Sequence, residues 1–140
     1  MASTIYSFRV RPKNSIGYSL STSTQLDVLS DGVPNFMTPP SYGTITATSI
    51  ALSWSDLLDE TKNGGDNPIY YRLEWEDSIT NPSSPTWVEI TSESSGKQFS
   101  FTHNLGAAFP SASTQKYRLK AKNNIGLGTA YSTELSVPAD

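Results

Sequence analysis

Few residues in this 140-residue sequence are of a type that could carry catalysis. Its one histidine, His103, has no serine or cysteine nucleophile beside it in a recognisable motif, and the sequence contains no cysteine. Serines are plentiful, but none lies in a Gly-x-Ser-x-Gly turn, and no glycine-rich phosphate loop precedes a predicted helix. We therefore expect His103 to be a polar residue at a strand end. We also expect the protein to be no enzyme and to need no cofactor.

Four acidic residues surround one predicted loop and could offer oxygen ligands to a cation: Asp56, Asp59, Glu60 and Asp66. Ca²⁺ takes roughly six to eight oxygen ligands, so a calcium site is one interpretation of this loop. The spacing matches no EF-hand, however, and Lys62 lies among the carboxylates. A solvated acidic loop is the interpretation that we favour, and we assign no metal ligand.

Aromatic and basic side chains form the remaining candidate, a partner-binding surface made of Tyr70, Trp75, Trp87, Arg118, Lys120 and Lys122. The three aromatic residues could form a platform for a sugar or a protein. Trp75 nevertheless shares the strand parity of Leu73, and Trp87 begins a short predicted edge strand. These positions favour packing in the core or at its rim over a binding platform.

Charge is divided unevenly along the chain. Residues 56–93 contain nine acidic and two basic residues, whereas residues 97–122 contain five basic residues and no acidic one. If the strands that carry Glu74 and Arg118 are neighbours, their outward side chains meet as cross-strand pairs, each worth roughly 0.2–1 kcal/mol. Neutralisation within the sheet is favoured over an anion-binding patch. The net charge of −3 also argues against a nucleic-acid partner.

The elements that would position these residues are short strands, because apolar and polar residues alternate in several segments. The predicted strands cover residues 50–54, 69–76, 87–90, 99–101, 117–122 and 135–137. Residues 56–62 are too short, and too near Gly64 and Gly65, to count as a helix. No apolar run is long enough to insert in a membrane. Six or seven strands with such spacing predict an all-β, immunoglobulin-like antiparallel β-sandwich.

An internal repeat divides the chain. Residues 8–17 match residues 117–126 without a gap, at an offset of 109 residues, and the match continues at Ser23 and Ser132. This offset is about the length of one sandwich domain. We therefore expect residues 1–33 to be the last two strands of a preceding copy plus a linker, and residues 34–140 to be a complete copy.

The motifs of the complete copy resemble the fibronectin type III domain. The resemblance rests on Pro39-Pro40, on Leu52-Ser53-Trp54, on Pro68-Ile69 before Tyr71, and on the line from Ala121 through Asn123 to Gly126. It implies a seven-stranded sandwich. Ungapped alignment puts Gln115 where the family has its corner tyrosine, which is Tyr6 in the partial copy. Either Tyr117 takes that role with a slip of two residues, or the corner hydrogen bond is missing.

The resemblance implies a non-enzymatic module of a tandem array, acting as spacer, scaffold, adhesion or protein-binding unit. Two alternatives are an accessory module of a secreted carbohydrate-active enzyme and an intracellular cytoskeletal module. Expected partners are proteins or neighbouring repeats, including strand pairing with another chain through residues 5–28. The expected location is extracellular or at the cell surface, with the cytoplasm as the alternative. The sequence contains no Arg-Gly-Asp tripeptide.

Overall fold

The computed structural model describes residues 4–106 and 114–138. Over these ranges the chain forms nine strands, all in antiparallel sheets: β1 (Ile5–Phe8), β2 (Leu26–Leu29), β3 (Ser41–Ile45), β4 (Ser49–Ser53), β5 (Tyr70–Asp77), β6 (Thr86–Glu89), β7 (Ser100–Asn104), β8 (Gln115–Lys122) and β9 (Leu135–Val137). Strands β1 and β2 pair with each other. The other sheets have the strand orders β3-β4-β7 and β6-β5-β8-β9. The predicted all-β antiparallel architecture is confirmed.

The core lies between the three-stranded and the four-stranded sheet. Strand β4 contributes Ile50 and Leu52, and Trp54 follows directly after its end; all three are buried. Strands β5 and β8 contribute every second residue to the same cluster: Tyr71, Leu73, Trp75, Tyr117, Leu119 and Ala121. This alternation arises because successive side chains of a strand point to opposite faces. Burial of one such large side chain contributes about 3 kcal/mol.

The stretch that we expected to contain no helix forms one helical turn, α1, over Glu60–Asn63. Asp59 caps its N-terminus by accepting a hydrogen bond from the Thr61 backbone N–H at 3.0 Å. Gly64 ends it with a left-handed φ of 82°. The expectation was wrong because Gly64, one of the two glycines that counted against a helix, is its C-cap, and Asp59 is its N-cap.

Two predicted apolar faces are shorter than expected, and one strand was not predicted. Ile69 is 41% exposed because β5 begins only at Tyr70, and Phe99 is 44% exposed just before β7.

Strand β3 consists of Ser, Tyr, Gly, Thr and Ile, most of them exposed, and a register shift interrupts its pairing with β4. A strand with so little burial has no alternating pattern to identify it.

Gln115 occupies the corner position without a slip in register. Gln115 pairs with Val137 as Tyr6 pairs with Val28, at the same offset of 109 residues. The Gln115 side chain is completely buried, and its Oε1 accepts a hydrogen bond from Trp75 Nε1 at 2.8 Å. The hydroxyl of Tyr117 lies elsewhere, 2.9 Å from His103 Nδ1.

Candidate functional site

The outward face of the four-stranded sheet is organised around a buried carboxylate. Glu74 on β5 lies directly opposite Arg118 on β8, and only 2% of Glu74 is exposed. Its Oε1 accepts hydrogen bonds from Arg118 Nε at 3.0 Å and Nη2 at 2.7 Å. Its Oε2 accepts one from the Tyr131 hydroxyl at 2.8 Å. The expected cross-strand pair is therefore present, and it is far more buried than a surface pair.

A second arginine completes the surroundings of Glu74. Arg72 Nε lies 2.8 Å from Glu74 Oε2, which is ion-pair distance, although its N–H is not aligned for a hydrogen bond. Burial by itself raises the pKa of Glu74. The hydrogen bonds from Arg118 and Tyr131 and the two guanidinium charges outweigh burial, so the pKa of Glu74 stays below its ordinary value. Glu74 is therefore an ionised group at neutral pH.

Aromatic rings and cations alternate above this carboxylate. The Arg118 guanidinium carbon lies 4.2 Å from the Trp87 ring centre and 3.6 Å from the Tyr131 ring centre. On the other side, Lys120 Nζ lies 3.9 Å from the Tyr131 ring centre. We call Trp87, Arg118, Tyr131 and Lys120 the cation–aromatic stack. Each such contact is worth about 0.5–1 kcal/mol at an exposed site and more when desolvated.

The charge of Lys120 is the least compensated in the stack. Arg72 is its direct cross-strand partner, so two cations face each other at this position. Partial burial, together with the charges of Arg72 and Arg118, outweighs the attraction of Glu74 and lowers the pKa of Lys120. The basic side chains of β8 are thus neutralised unevenly: Arg118 is paired with Glu74, whereas Lys120 lies against the Tyr131 ring.

Tyr70 and Lys122 lie at one end of the same face, beside a cleft of about 490 Å³. The Tyr70 hydroxyl is 2.7 Å from Glu89 Oε1 and 2.6 Å from Thr91 Oγ1, and Lys122 forms an ion pair with Glu93. Burial raises the pKa of Tyr70, so its phenol stays protonated. Both residues are engaged by their own sheet and its flanking loop.

Trp75 does not belong to this surface. It is 8% exposed, lies in the core cluster, and packs edge-to-face on His103 with ring centres 4.8 Å apart. Five of the six candidate residues therefore share the outward face, and Trp75 points to the opposite side, as its parity with Leu73 indicates. The platform that required Trp75 beside Trp87 cannot form.

Tyr131 is the member of the stack that sequence reasoning missed. It lies outside every strand, between β8 and β9, and its counterpart in the internal repeat is Thr22. Neither alternation nor repetition therefore marks it. The burial of Glu74 was missed for the same reason, because Tyr131 is one of the groups that bond its carboxylate.

His103 lies in the core rather than in a catalytic cleft. The ring is packed between Trp75 and Tyr117, and 9% of the residue is exposed. Burial lowers the pKa of His103 to about 4, with a smaller opposing effect from the Asp77 charge. At neutral pH the ring is uncharged, and its described polar contact is to the Tyr117 hydroxyl.

The acidic loop holds no shared oxygen cluster. Asp56 bonds Lys97 Nζ at 2.6 Å and the Tyr71 hydroxyl, while Asp59 caps α1. Asp66 Oδ2 accepts hydrogen bonds from the backbone and side-chain nitrogens of Asn124. Within residues 4–106 and 114–138, no three His, Cys, Asp or Glu side chains are placed to share a metal ion. Three of the four carboxylates, those of Asp56, Asp59 and Asp66, are thus bonded to groups of their own chain.

The leading hairpin, which consists of β1, β2 and the residues between them, repeats several hydrogen bonds of β8, β9 and the turn that joins them. In the hairpin, Asn14 Oδ1 accepts from the N–H groups of Ile16 and Gly17; Asn123 Oδ1 does the same for Ile125 and Gly126. The isolated bridge Lys13↔Tyr18 repeats the bridge Lys122↔Leu127. The bonds that Ser23 exchanges with Val10 recur between Ser132 and Leu119. Every pair is related by the offset of 109 residues.

The two hairpins differ in what covers their apolar face. Tyr117 and Leu119 are completely buried in the complete copy. Their counterparts Phe8 and Val10 are more than half exposed, as is Leu26 across the hairpin. The leading hairpin thus has the hydrogen bonds of two sandwich strands without a second sheet against them. Among the described residues, no helix is long and apolar enough to cross a membrane.

Comparison with solved structures gives matches over nearly the whole chain. The FN1–FN3 domains of chicken CNTN1 match with a TM-score of 0.53 and 19% identity, covering 96% of this chain and 43% of that one. Domains A168–A170 of titin match with a TM-score of 0.54 and 18% identity, covering 98% of this chain and 41% of that one. The chain therefore spans about two fifths of the length of either structure. No family model and no curated protein matches the sequence.

These matches bear on the fold. At such identities a likeness shows the fold alone, and the fold is the one that the motifs around Trp54 and Asn123 resemble. The chain has a fibronectin type III-like fold of the immunoglobulin-like sandwich class.

Proposed function

We propose that this chain is a non-enzymatic module of a tandem array of fibronectin type III-like copies, and that it acts as a spacer, scaffold or adhesion unit. In this arrangement residues 1–33 are the last two strands and linker of one copy, and residues 34–140 are the next copy. The proposed partners are neighbouring copies and other proteins. The compartment that we propose is extracellular or cell-surface, with a cytoskeletal array as the alternative.

The observation that carries the proposal is the hydrogen-bond repeat of the leading hairpin. Asn14, Ser23 and their partners reproduce the bonds of Asn123 and Ser132 at a constant offset. A hairpin formed for a local purpose has no reason to copy the turn, the bridge and the serine bonds of β8 and β9. Descent from the same repeat explains all three.

The exposed face of the hairpin supports the same arrangement. Phe8, Val10 and Leu26 together leave large apolar areas in water, at about 25 cal/mol per Å². A two-stranded hairpin is at best marginally stable by itself in water. The remaining strands of a preceding copy would cover this face, as β4 and β7 cover Tyr117 and Leu119. The match to a structure of several consecutive domains, which covers 96% of this chain, supports the proposal that the chain extends over parts of two copies.

The carbohydrate-enzyme alternative loses its main support. An exposed pair of Trp75 and Trp87 would have favoured it, and Trp75 is buried. Trp87, the other member, lies against Arg118. A sugar platform of two parallel rings is therefore absent from the described face, and the structural or protein-binding role is the one that we retain.

The test compares two equivalent substitutions in the 140-residue chain, Phe8→Ala and Tyr117→Ala. The residues correspond at the offset of 109, so each removes the same kind of side chain from the same repeat position. Tyr117→Ala opens a cavity in the core and should lower the free energy of unfolding by about 3–5 kcal/mol. Phe8→Ala should leave the main unfolding transition of the complete copy unchanged.

Urea unfolding followed by tryptophan fluorescence gives the measurement, because all three tryptophans lie in residues 34–140. A loss for Phe8→Ala as large as that for Tyr117→Ala would refute the proposal. It would mean that the hairpin belongs to the core of the domain that follows it.

A further inference from the structure

Residues 32–35, where the linker meets the complete copy, are bonded to two parts of that copy, the end of α1 and the turn between β8 and β9. The Gly32 N–H donates to the Gly64 carbonyl at 2.7 Å, and the Asn35 N–H donates to the Lys62 carbonyl at 2.9 Å. The Pro34 carbonyl accepts from the Thr129 N–H at 2.9 Å. Gly32 and Pro34 are buried. This segment is therefore not a loose linker.

Two glycines of the complete copy allow the segment to approach its backbone. A Cβ on Gly64 would lie 2.2 Å from the Gly32 carbonyl oxygen, and a Cβ on Gly128 would lie 2.7 Å from the Pro34 oxygen. Real Cβ atoms do not approach so closely, so only glycine fits at either position. The backbone of Gly32 and Pro34 therefore lies in a groove that exists only because residues 64 and 128 have no side chain.

The side chain of Asn123 connects the two sides of the groove by hydrogen bonds. It is completely buried, and both ends of its carboxamide are engaged. Its Oδ1 holds its own turn, as described above. Its Nδ2 donates to the Gly32 carbonyl at 2.6 Å and to the Asn63 carbonyl at 3.0 Å. One side chain thus bonds the joint, the end of α1 and the turn between β8 and β9.

The hairpin side of the joint is also bonded up to its last residue. The Ser30 N–H donates to the Thr4 carbonyl at 2.8 Å, and Ser30 Oγ accepts from the Thr4 N–H at 3.0 Å. Asp31, which is exposed, is the one residue between Ser30 and the docked Gly32. Asp31 is not a glycine, so steric clashes leave its two backbone dihedrals only a few allowed regions, and a one-residue connection can therefore take few directions.

We propose that residues 32–34 form a docked joint, positioned by Asn123, which holds the preceding copy at a fixed angle to the complete copy, with Asp31 as the one residue between the joint and the hairpin. The array is then stiff at this joint, because the two copies cannot reorient freely relative to each other. This inference rests on the proposed tandem arrangement for its biological meaning. The docking of Gly32 by Asn123 is a property of this chain alone and is tested separately.

The experiment uses the ¹⁵N-labelled 140-residue chain. In the wild type, the amides of Gly32, Asn35 and Thr129 should exchange slowly with solvent. Residual dipolar couplings from the hairpin and the complete copy should fit one alignment tensor. Asn123→Ala should accelerate exchange at these amides by about ten- to a hundredfold and should require two tensors.

Asn14→Ala is the matched control. Asn14 occupies the equivalent turn, but none of the described hydrogen bonds joins its Nδ2 to residues 32–34, so exchange at Gly32 should not change. A second variant, with two glycines inserted after Asp31, guards against unfolding of the Asn123 variant. It should keep Gly32 protected and still separate the two tensors.

Three results would overturn the inference. They are rapid exchange of Gly32 in the wild type, unchanged protection in Asn123→Ala, and a hairpin that is unstructured or independently oriented beside a protected Gly32. A failed tandem proposal is distinguishable, because the comparison of Phe8→Ala with Tyr117→Ala would then fail while Gly32 stayed protected.

Discussion

The buried pair Glu74–Arg118 gives the most quantitative prediction. Removing one partner of a buried ion pair costs about 3–5 kcal/mol, because the other charge is left without compensation. Arg118→Leu leaves Arg72 and Tyr131 on the Glu74 carboxylate, so its cost should be at the lower end, about 3 kcal/mol. Glu74→Leu leaves Arg118 and Arg72, whose side chains are 22% and 33% exposed and can reach water, so its cost should be about 2 kcal/mol.

The double variant removes both charges together and should cost about 3 kcal/mol in all, so the coupling in a double-mutant cycle should be about 2 kcal/mol. Urea unfolding at pH 7 measures each free energy. Lys116 and Glu134 provide the control cycle. Their charged atoms are 3.8 Å apart and their side chains are 40% and 51% exposed, so their coupling should be below about 0.5 kcal/mol.

Acid titration gives the same pair a second readout. The pKa of Glu74 is lower in the folded protein than its ordinary value of 4.5. Its contribution is therefore fully present above pH 4.5 and is lost as the pH falls through the folded-state pKa. Glu74→Gln should flatten the fall in stability below pH 4.5. A coupling with Arg118 no larger than that of the control pair would refute the buried-pair reasoning.

Three further predictions concern the core and the acidic loop. Trp54→Ala should cost about 3–5 kcal/mol because Trp54 lies in the core cluster, and a melting shift of only a degree or two would contradict this. His103 has a folded-state pKa of about 4 against 6.5, so stability should be full above pH 6.5 and fall by roughly 3 kcal/mol as the pH drops to 4. His103→Gln should remove that dependence, which a pH series of urea titrations would show. Millimolar calcium should leave the melting midpoint unchanged, because Asp56 already bonds Lys97 and Asp59 already caps α1. A rise of the midpoint with calcium would contradict this and would favour a metal site in the acidic loop.

The sequence predicted those parts of the fold that depend on alternation along a single strand. Leu52, Leu73 and Leu119 lie at the centres of their predicted apolar faces, and all three are buried. Strand β3 escaped prediction because it is a mostly exposed strand of small and polar residues. A strand that buries little leaves little pattern to read.

The candidate site was predicted only in part, because it depends on contacts between segments. Parity placed Glu74 on the outward face, which is correct, but parity contains no information on what covers that face. Tyr131 and Arg118 approach from other parts of the chain and bury the carboxylate. Likewise no local pattern indicates the bond from Asn123 to Gly32, because it spans 91 positions of sequence.

Hydrogen exchange at equivalent amides, with light scattering to fix the molecular mass, tests the tandem arrangement most directly. The Val10 and Leu119 amides both donate to a serine Oγ, at 2.8 and 2.9 Å, in the two related hairpins. In a monomer of this chain, Leu119 should exchange only on global unfolding, whereas Val10 should exchange much faster because no second sheet covers it. Equal, strong protection of Val10 and Leu119 in a monomer would contradict the account, since the hairpin would then be part of the domain that follows it.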